Sequence, residues 1–121
     1  MKARKKILLV DDERAILKVI GIKLTISGYD VVSAYEGQEA LNLLASACPD
    51  IMLLDVIMPG IDGFEVLQKL REFSDLPVIV VSARPENAEE AFRLGANDFL
   101  AKPLDVNELV EKIDTVLSGT V

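Results

Sequence analysis

Histidine and tryptophan are absent, cysteine occurs once, and aromatic residues make up only 5% of the 121 residues. Each absence closes off chemistry. Without histidine the commonest general base at neutral pH and the commonest metal ligand are missing, and the single Cys48 cannot close an internal disulfide. Any chemistry must run on carboxylates, hydroxyls and amines. Basic residues are also short: 13 Lys and Arg against 20 Asp and Glu leave a formal charge of -7, which opposes an electrostatic grip on nucleic-acid phosphates or anionic lipid. Long apolar runs are missing too. After the basic start MKARKK, apolar residues last only from Ile7 to Val10 before two acids, too short for a membrane span and wrong for a signal peptide. The expectation is a cytoplasmic protein with no membrane contact and no direct nucleic-acid binding by this chain.

What is present is aliphatic. Half of the residues are apolar, enough for the core of one domain at this length. We expect residues 1–121 to form that single domain, with 118–121 a tail or the start of a truncated linker. Segments 6–10, 30–34, 50–54, 77–81 and 98–101 are short and rich in Ile, Leu and Val without strict polar alternation, the pattern of strands buried on both faces. Between them lie stretches with helical spacing: Leu17, Ile20 and Leu24, then Ala40, Leu41 and Leu44, then Phe64, Leu67 and Leu70. A fourth helix is predicted over 86–94, stopped by Gly95, which reaches a left-handed cap cheaply. A fifth starts near Asp105, whose side chain can cap the amides of DVNE, and runs through Leu109, Ile113 and Val116. Alternating strands and helices predict an α/β fold, a parallel five-stranded sheet with helices on both faces.

Open parallel sheets bind ligands at the carboxyl ends of their strands, so the residues standing there carry the functional information. Asp11 and Asp12 follow the first predicted strand, with Glu13 beside them; Asp55 follows the third, Ser82 the fourth, and Lys102 stands at the fifth, locked by Pro103. Each has an ordinary explanation. Acids favour helix starts, serine is a common cap, and Asp55 could be a loop acid before the Pro59–Gly60 turn. Coincidence at four strand ends is a poorer explanation than a shared site. Clustered carboxylates repel one another and favour a hard divalent cation, with Mg2+ suited to oxygen ligands and retained waters. A carboxylate becomes a nucleophile toward phosphorus once the cation and a lysine neutralise the phosphoryl oxygens. These residues point to an aspartyl phosphate on Asp55 rather than to hydrolysis of a diffusing substrate.

The stretches ILLVDDE (7–13), LLDVIMPGIDG (53–63), VIVVSA (78–83) and GANDFLAKP (95–103) resemble the response-regulator receiver domain of two-component signalling, and together they cover nearly the whole chain. The resemblance implies a flavodoxin-like three-layer (βα)5 sandwich with strand order 2-1-3-4-5. It implies that Asp55 is the phosphoacceptor, and that Asp12, Asp55 and the Ile57 backbone carbonyl ligate Mg2+, with Asp11 helping through metal-bound water. It also implies that Ser82 hydrogen-bonds the phosphoryl group, that Lys102 pairs with it, and that Phe99 is the aromatic switch turning inward when Ser82 moves. The implied partners are a histidine kinase or phosphotransfer protein as donor and a downstream effector. The chain would catalyse its own phosphotransfer and slow dephosphorylation without being an enzyme in the ordinary sense. Pro59 and Gly60 would stiffen the loop after Asp55 and turn its carbonyls toward the metal.

Three competing functions are weighed against this. A magnesium-dependent phosphohydrolase would carry a second acid two residues past the nucleophile, where Ile57 stands. A flavin carrier would need phosphate-binding glycines or hydroxyls after the first strand, where Asp-Asp-Glu stands. A degenerate receiver acting as a phosphorylation-independent interaction module is the stronger rival, and the full set of site residues argues against it. Departures from the family are Phe99 in place of the commoner tyrosine, apolar Ile57, and Asn97 where an acid is common. With Asp98, Glu108, Glu111 and Lys112 nearby, the ion-pair set of a dimer face is incomplete. The expectation is a monomer that forms at most a weak, phosphorylation-dependent homodimer.

Overall fold

The computed structural model describes residues 4–58, 60 and 62–119. The chain alternates β1 (Lys6–Val10), α1 (Arg14–Ile26), β2 (Asp30–Ala34), α2 (Gly37–Ala47), β3 (Ile51–Asp55), α3 (Gly63–Arg71), β4 (Val78–Ser82), α4 (Asn87–Arg93), β5 (Asp98–Ala101) and α5 (Val106–Leu117). All strand pairs are parallel, in the order β2-β1-β3-β4-β5, so the expected architecture and strand order are both found.

Alternation along each strand divides the core in two. Leu8, Val10, Met52, Leu54, Val78 and Val80 face one side, where Ala40 of α2, Val66, Leu67 and Leu70 of α3, and Ala91 of α4 cover them. Ile7, Leu9, Ile51, Leu53, Ile79 and Val81 face the other, under Leu17, Ile20 and Leu24 of α1 and Leu109 and Ile113 of α5. Each Val, Leu, Ile or Met side chain among these, fully buried, contributes about 2 kcal/mol by transfer from water. The helix starts are fixed locally. Asp62 accepts the Glu65 N–H at 3.0 Å, and Asp105 accepts those of Asn107 and Glu108 at 2.9 and 3.3 Å, each cap contributing about 1 kcal/mol. Gly95, just past α4, has φ +103°, the left-handed conformation expected of it.

Three differences from the sequence expectation bear on the site. β3 and β4 each begin and end one residue later than predicted. Asp50 and Pro77 stand just before these strands. The Asp50 carboxylate accepts the Lys6 N–H at 2.7 Å while its own N–H donates to the Lys6 carbonyl at 2.8 Å. The Pro77 carbonyl accepts the Met52 N–H at 2.9 Å, although Pro77 has no N–H to donate in turn. Asp55 and Ser82 are therefore the last residues of their strands, not the first beyond them. The second difference concerns burial. β3 and β4 are buried throughout and β1 nearly so, but β2 and β5 are largely half-buried, because they are the edges of the sheet and each lacks a neighbour on one side. The third is the outward side of α1, where Val19, Ile22 and Ile26 are 63%, 54% and 76% exposed. Pro59 of the expected stiffened loop, and Thr120 and Val121 of the expected tail, lie outside the described residues.

Candidate functional site

Three strand ends converge at the carboxyl edge of the sheet. Val10 pairs with Leu54, and Asp55 with Val81, so Asp11 and Asp55 emerge side by side, with Ser82 one residue further along β4. One carboxylate oxygen from each of Asp11, Asp12 and Asp55 lies within 4.8 Å of the others. Asp11 and Asp55 are 5% and 4% exposed, while Asp12 is exposed. From the end of β5, Lys102 reaches in. Its Nζ stands 3.0 Å from Asp11 Oδ2, 3.5 Å from Asp55 Oδ2 and 3.6 Å from Glu13 Oε1.

One ammonium cannot neutralise this many acids in a partly water-excluded place. The Asp55 carboxyl is pushed up to about 6, first by burial and then by the charge of Asp11, against the lowering effects of the Ile57 N–H and Lys102. That N–H donates to Asp55 Oδ1 at 3.2 Å. For Lys102 burial works against the charge, but the hydrogen bond to Asp11 and the charges of Asp55, Asp11 and Glu13 outweigh it and hold the ammonium above its usual range. The donor set is all carboxylate oxygen with excess negative charge, which fits a hard divalent cation.

Ser82 belongs to the same edge but presents its hydroxyl to other partners. It is fully buried, and its Oγ accepts the Arg84 backbone N–H at 3.0 Å and Asn87 Nδ2 at 2.9 Å. The first of these is the local turn chemistry a serine commonly supplies. The Arg84 side chain is exposed. Phe99 pairs with Val80 on β5 and packs, partly buried, against the core side beneath α4. Ile57 stands two residues past Asp55 with its side chain 49% exposed.

Three contributors were missed or set aside in the sequence. Glu13 enters the Lys102 network. Asn87 reaches Ser82 across a turn. Gly63 opens α3 directly behind Asp55: a Cβ there would lie 2.3 Å from the Asp55 carbonyl oxygen and 2.5 Å from Val56 Cα. The Gly63 N–H donates to the Val56 carbonyl at 3.2 Å. Its sequence signal was only a glycine following the cap residue Asp62.

Beside Lys102 an apolar groove of about 630 Å3 runs between α1 and the segment leading into α5, lined by Ala15, Ile16, Val19, Pro103, Leu104 and Val106 among others. No helix among the described residues is long and apolar enough to cross a membrane.

Residues 7–114 match the family model of the response regulator receiver domain. The chain is 42% identical over 118 residues to the response regulator MprA of Mycolicibacterium vanbaalenii, which covers 95% of this chain and 51% of that protein. It spans about half the length of the curated relatives it matches. Among solved structures it is similar to the receiver domain of the Francisella response regulator 1452, with a TM-score of 0.91 and 33% identity over 98% of this chain and 100% of that one. It is also similar to the response regulator TrrA of Thermotoga maritima, a complex with Mg2+ and BeF, with a TM-score of 0.85 and 33% identity over 93% and 98% of the two chains.

Proposed function

The chain belongs to the response regulator receiver family, and from that premise we propose that residues 1–121 act as one phosphorylation-controlled signalling switch with Asp55 as its phosphoacceptor. The observation that carries this reading is the meeting of three carboxylates and Lys102 Nζ at one strand edge. The donor is a phosphohistidine of a histidine kinase or phosphotransfer protein, and the recipient of the signal is an effector protein or domain. The apolar groove that opens beside Lys102 supports a macromolecular donor.

In the transfer, an ionised Asp55 oxygen forms a bond to phosphorus while the donor's bond to phosphorus breaks, its electron pair leaving with the donor. Burial and Asp11 raise the Asp55 pKa to about 6, so near neutral pH the carboxylate is ionised yet poorly solvated, a state suited to attack. Lys102 pairs with the phosphoryl oxygens and thereby transfers part of its attention from Asp11. Ser82 donates to the product. Asp11, Asp12 and Asp55, with the Ile57 backbone carbonyl, would hold Mg2+, which when bound supplies positive charge to the phosphoryl oxygens. In the return step a water oxygen bonds to phosphorus as the bond between phosphorus and the Asp55 oxygen breaks, releasing inorganic phosphate and the free carboxylate, so the chain catalyses both halves of its own cycle.

Phe99, on the same core side as α4, reports the position of Ser82 to the surface formed by α4, β5 and α5. That surface supports at most a weak dimer. Lys112 pairs with Asp98 at 3.2 Å within the chain, and Asn97 uses its side-chain oxygen to accept the Val78 and Arg71 N–H groups. Incubation with acetyl phosphate and Mg2+ is expected to add one base-labile phosphoryl group by intact-protein mass spectrometry, and Asp55→Asn to abolish it. Full modification of the Asp55→Asn protein would remove Asp55 from the role.

A further inference from the structure

α4 begins without a side-chain cap of its own. Glu86 stands at the cap position and makes no capping bond. The N–H groups of Asn87 and Ala88 go to the carbonyls of Arg84 and Pro85 at 3.0 and 3.1 Å. The side chain that ties this turn to the sheet is that of Asn87, through its 2.9 Å bond to Ser82 Oγ. A hydroxyl has two acceptor positions and one proton. With the Arg84 N–H and Asn87 Nδ2 both donating to it, Ser82 has its acceptor positions filled from the α4 side. Its proton is what remains to be directed, and full burial keeps bulk water from competing for it.

We propose that Asn87 is a positioning residue that commits the Ser82 hydroxyl to act as a donor toward a phosphoryl group on Asp55, and that carries the resulting movement into α4. The inference rests on the reading of Asp55 as phosphoacceptor. A phosphoryl group offers acceptor oxygens, so the hydroxyl it needs is one that can only donate, and Asn87 produces that state before the phosphoryl group arrives. Because Asn87 is the first residue of α4, any displacement of Ser82 pulls on the helix at the end that lacks its own cap.

The test uses beryllofluoride with Mg2+ as the phosphoryl mimic, titrated against wild type, Asn87→Asp and Asn87→Ala, each with and without Ser82→Ala, and followed by amide chemical shifts. Asn87→Asp keeps the size of the side chain but replaces the donor by an acceptor, which captures the Ser82 proton. It is expected to weaken binding roughly tenfold with Ser82 in place and by no more than about twofold in the Ser82→Ala background, where only the added charge acts. Asn87→Ala is expected to bind within about threefold of wild type while the amides of Glu89 to Arg93 lose their response to the mimic. A loss in Asn87→Asp that is the same with and without the hydroxyl overturns the proposal, as does an unchanged α4 response in Asn87→Ala. Failure of the wild type to bind the mimic would instead sink the Asp55 reading, and this inference with it.

Discussion

The two edges of the sheet treat charge in opposite ways. At the amino ends of the strands, charged and polar groups are stitched to partners across the chain. Arg4 reaches Asp30 and the carbonyls of Thr25 and Tyr29, and Lys6 donates to the Ala47 carbonyl and, through its N–H, to Asp50. Arg71 clamps the carbonyls of Gly95 and Ser74, and the Tyr29 hydroxyl donates to Asp114. At the carboxyl ends, Asp11, Glu13 and Asp55 crowd a single ammonium, and Asp12 adds a third carboxylate beside Asp11 and Asp55. The first edge holds strand starts to helix ends and stabilises the fold. The second keeps surplus negative charge that stability alone would not select, and the aliphatic layers on both sheet faces hold it in place.

The largest expected effect probes how little slack the carboxyl edge has. In Gly63→Ala the new Cβ meets backbone, the Asp55 carbonyl oxygen and Val56 Cα at 2.3 and 2.5 Å, so α3 or the end of β3 must move. We expect a loss of about 3 kcal/mol or more in urea melts, together with weakened Mg2+ binding. The control is Gly21→Ala inside α1, where the nearest atoms are the side chains of Val31 and Leu9 at 3.7 and 3.9 Å; there the change should be neutral or stabilising by up to about 1 kcal/mol. If both variants melt alike, the edge relaxes freely and the contrast between the edges loses its steric half.

Asp55→Asn tests the electrostatic half, with a smaller effect of opposite sign. A carboxyl whose pKa is raised to about 6 on folding binds its proton more tightly in the native state than in the unfolded chain. Between about pH 4 and pH 6 the native state therefore holds more protons, and stability falls as pH rises through that window. The penalty is absent below it and complete above it. Without divalent cation, Asn at this position should stabilise the protein by about 2–3 kcal/mol at pH 7 to 8 and by almost nothing near pH 3.5. Added Mg2+ should narrow the gap by stabilising only the wild type. Chemical denaturation across pH measures this, and a difference that stays constant from pH 3.5 to 8 would show that ionisation of Asp55 is not what the fold opposes.

Much of this was legible in the sequence because it depends on local pattern. Strand and helix order follow from aliphatic runs and 3.6-residue spacing, and the site follows from residue types at the ends of those runs, since a parallel sheet gathers its carboxyl ends at one edge. Strand limits slipped by one residue at Asp50, whose carboxylate takes up the Lys6 N–H across the sheet, and at Pro77, which accepts the Met52 N–H but has no N–H of its own. The contacts that were not legible join residues sharing no local pattern. Gly63 has meaning only once α3 lies against Val56, Asn87 only once α4 turns back on Ser82, and Asn97 only once its side chain is seen serving β4 instead of a surface ion pair. The outward row Val19, Ile22 and Ile26 was unread because the inward row Leu17, Ile20 and Leu24 already accounted for α1 as a covering helix.

Arg71→Ala supplies the counterpart at the other edge and the smallest expected effect. The guanidinium donates to the Gly95 carbonyl at 2.9 and 3.2 Å, to the Ser74 carbonyl at 3.1 Å and to Asn97 Oδ1 at 3.3 Å, and that same Asn97 oxygen accepts the Val78 N–H at the start of β4. One side chain thus joins the end of α3, the turn after α4 and the first residue of β4. Hydrogen bonds from a charged donor contribute about 1.5–3 kcal/mol each when well buried, less here because Arg71 is half-exposed, so truncation should cost about 1–2 kcal/mol. Arg71→Lys keeps the charge but not the planar fork, and should recover less than half of that loss. Neither change should vary between pH 5 and 8 or alter beryllofluoride affinity, because no group of the carboxyl edge is touched. Removal of a charge would then stabilise the protein at one edge and destabilise it at the other. A pH-dependent loss in Arg71→Ala, or a fall in affinity for the mimic, would show that the two edges are coupled through β4.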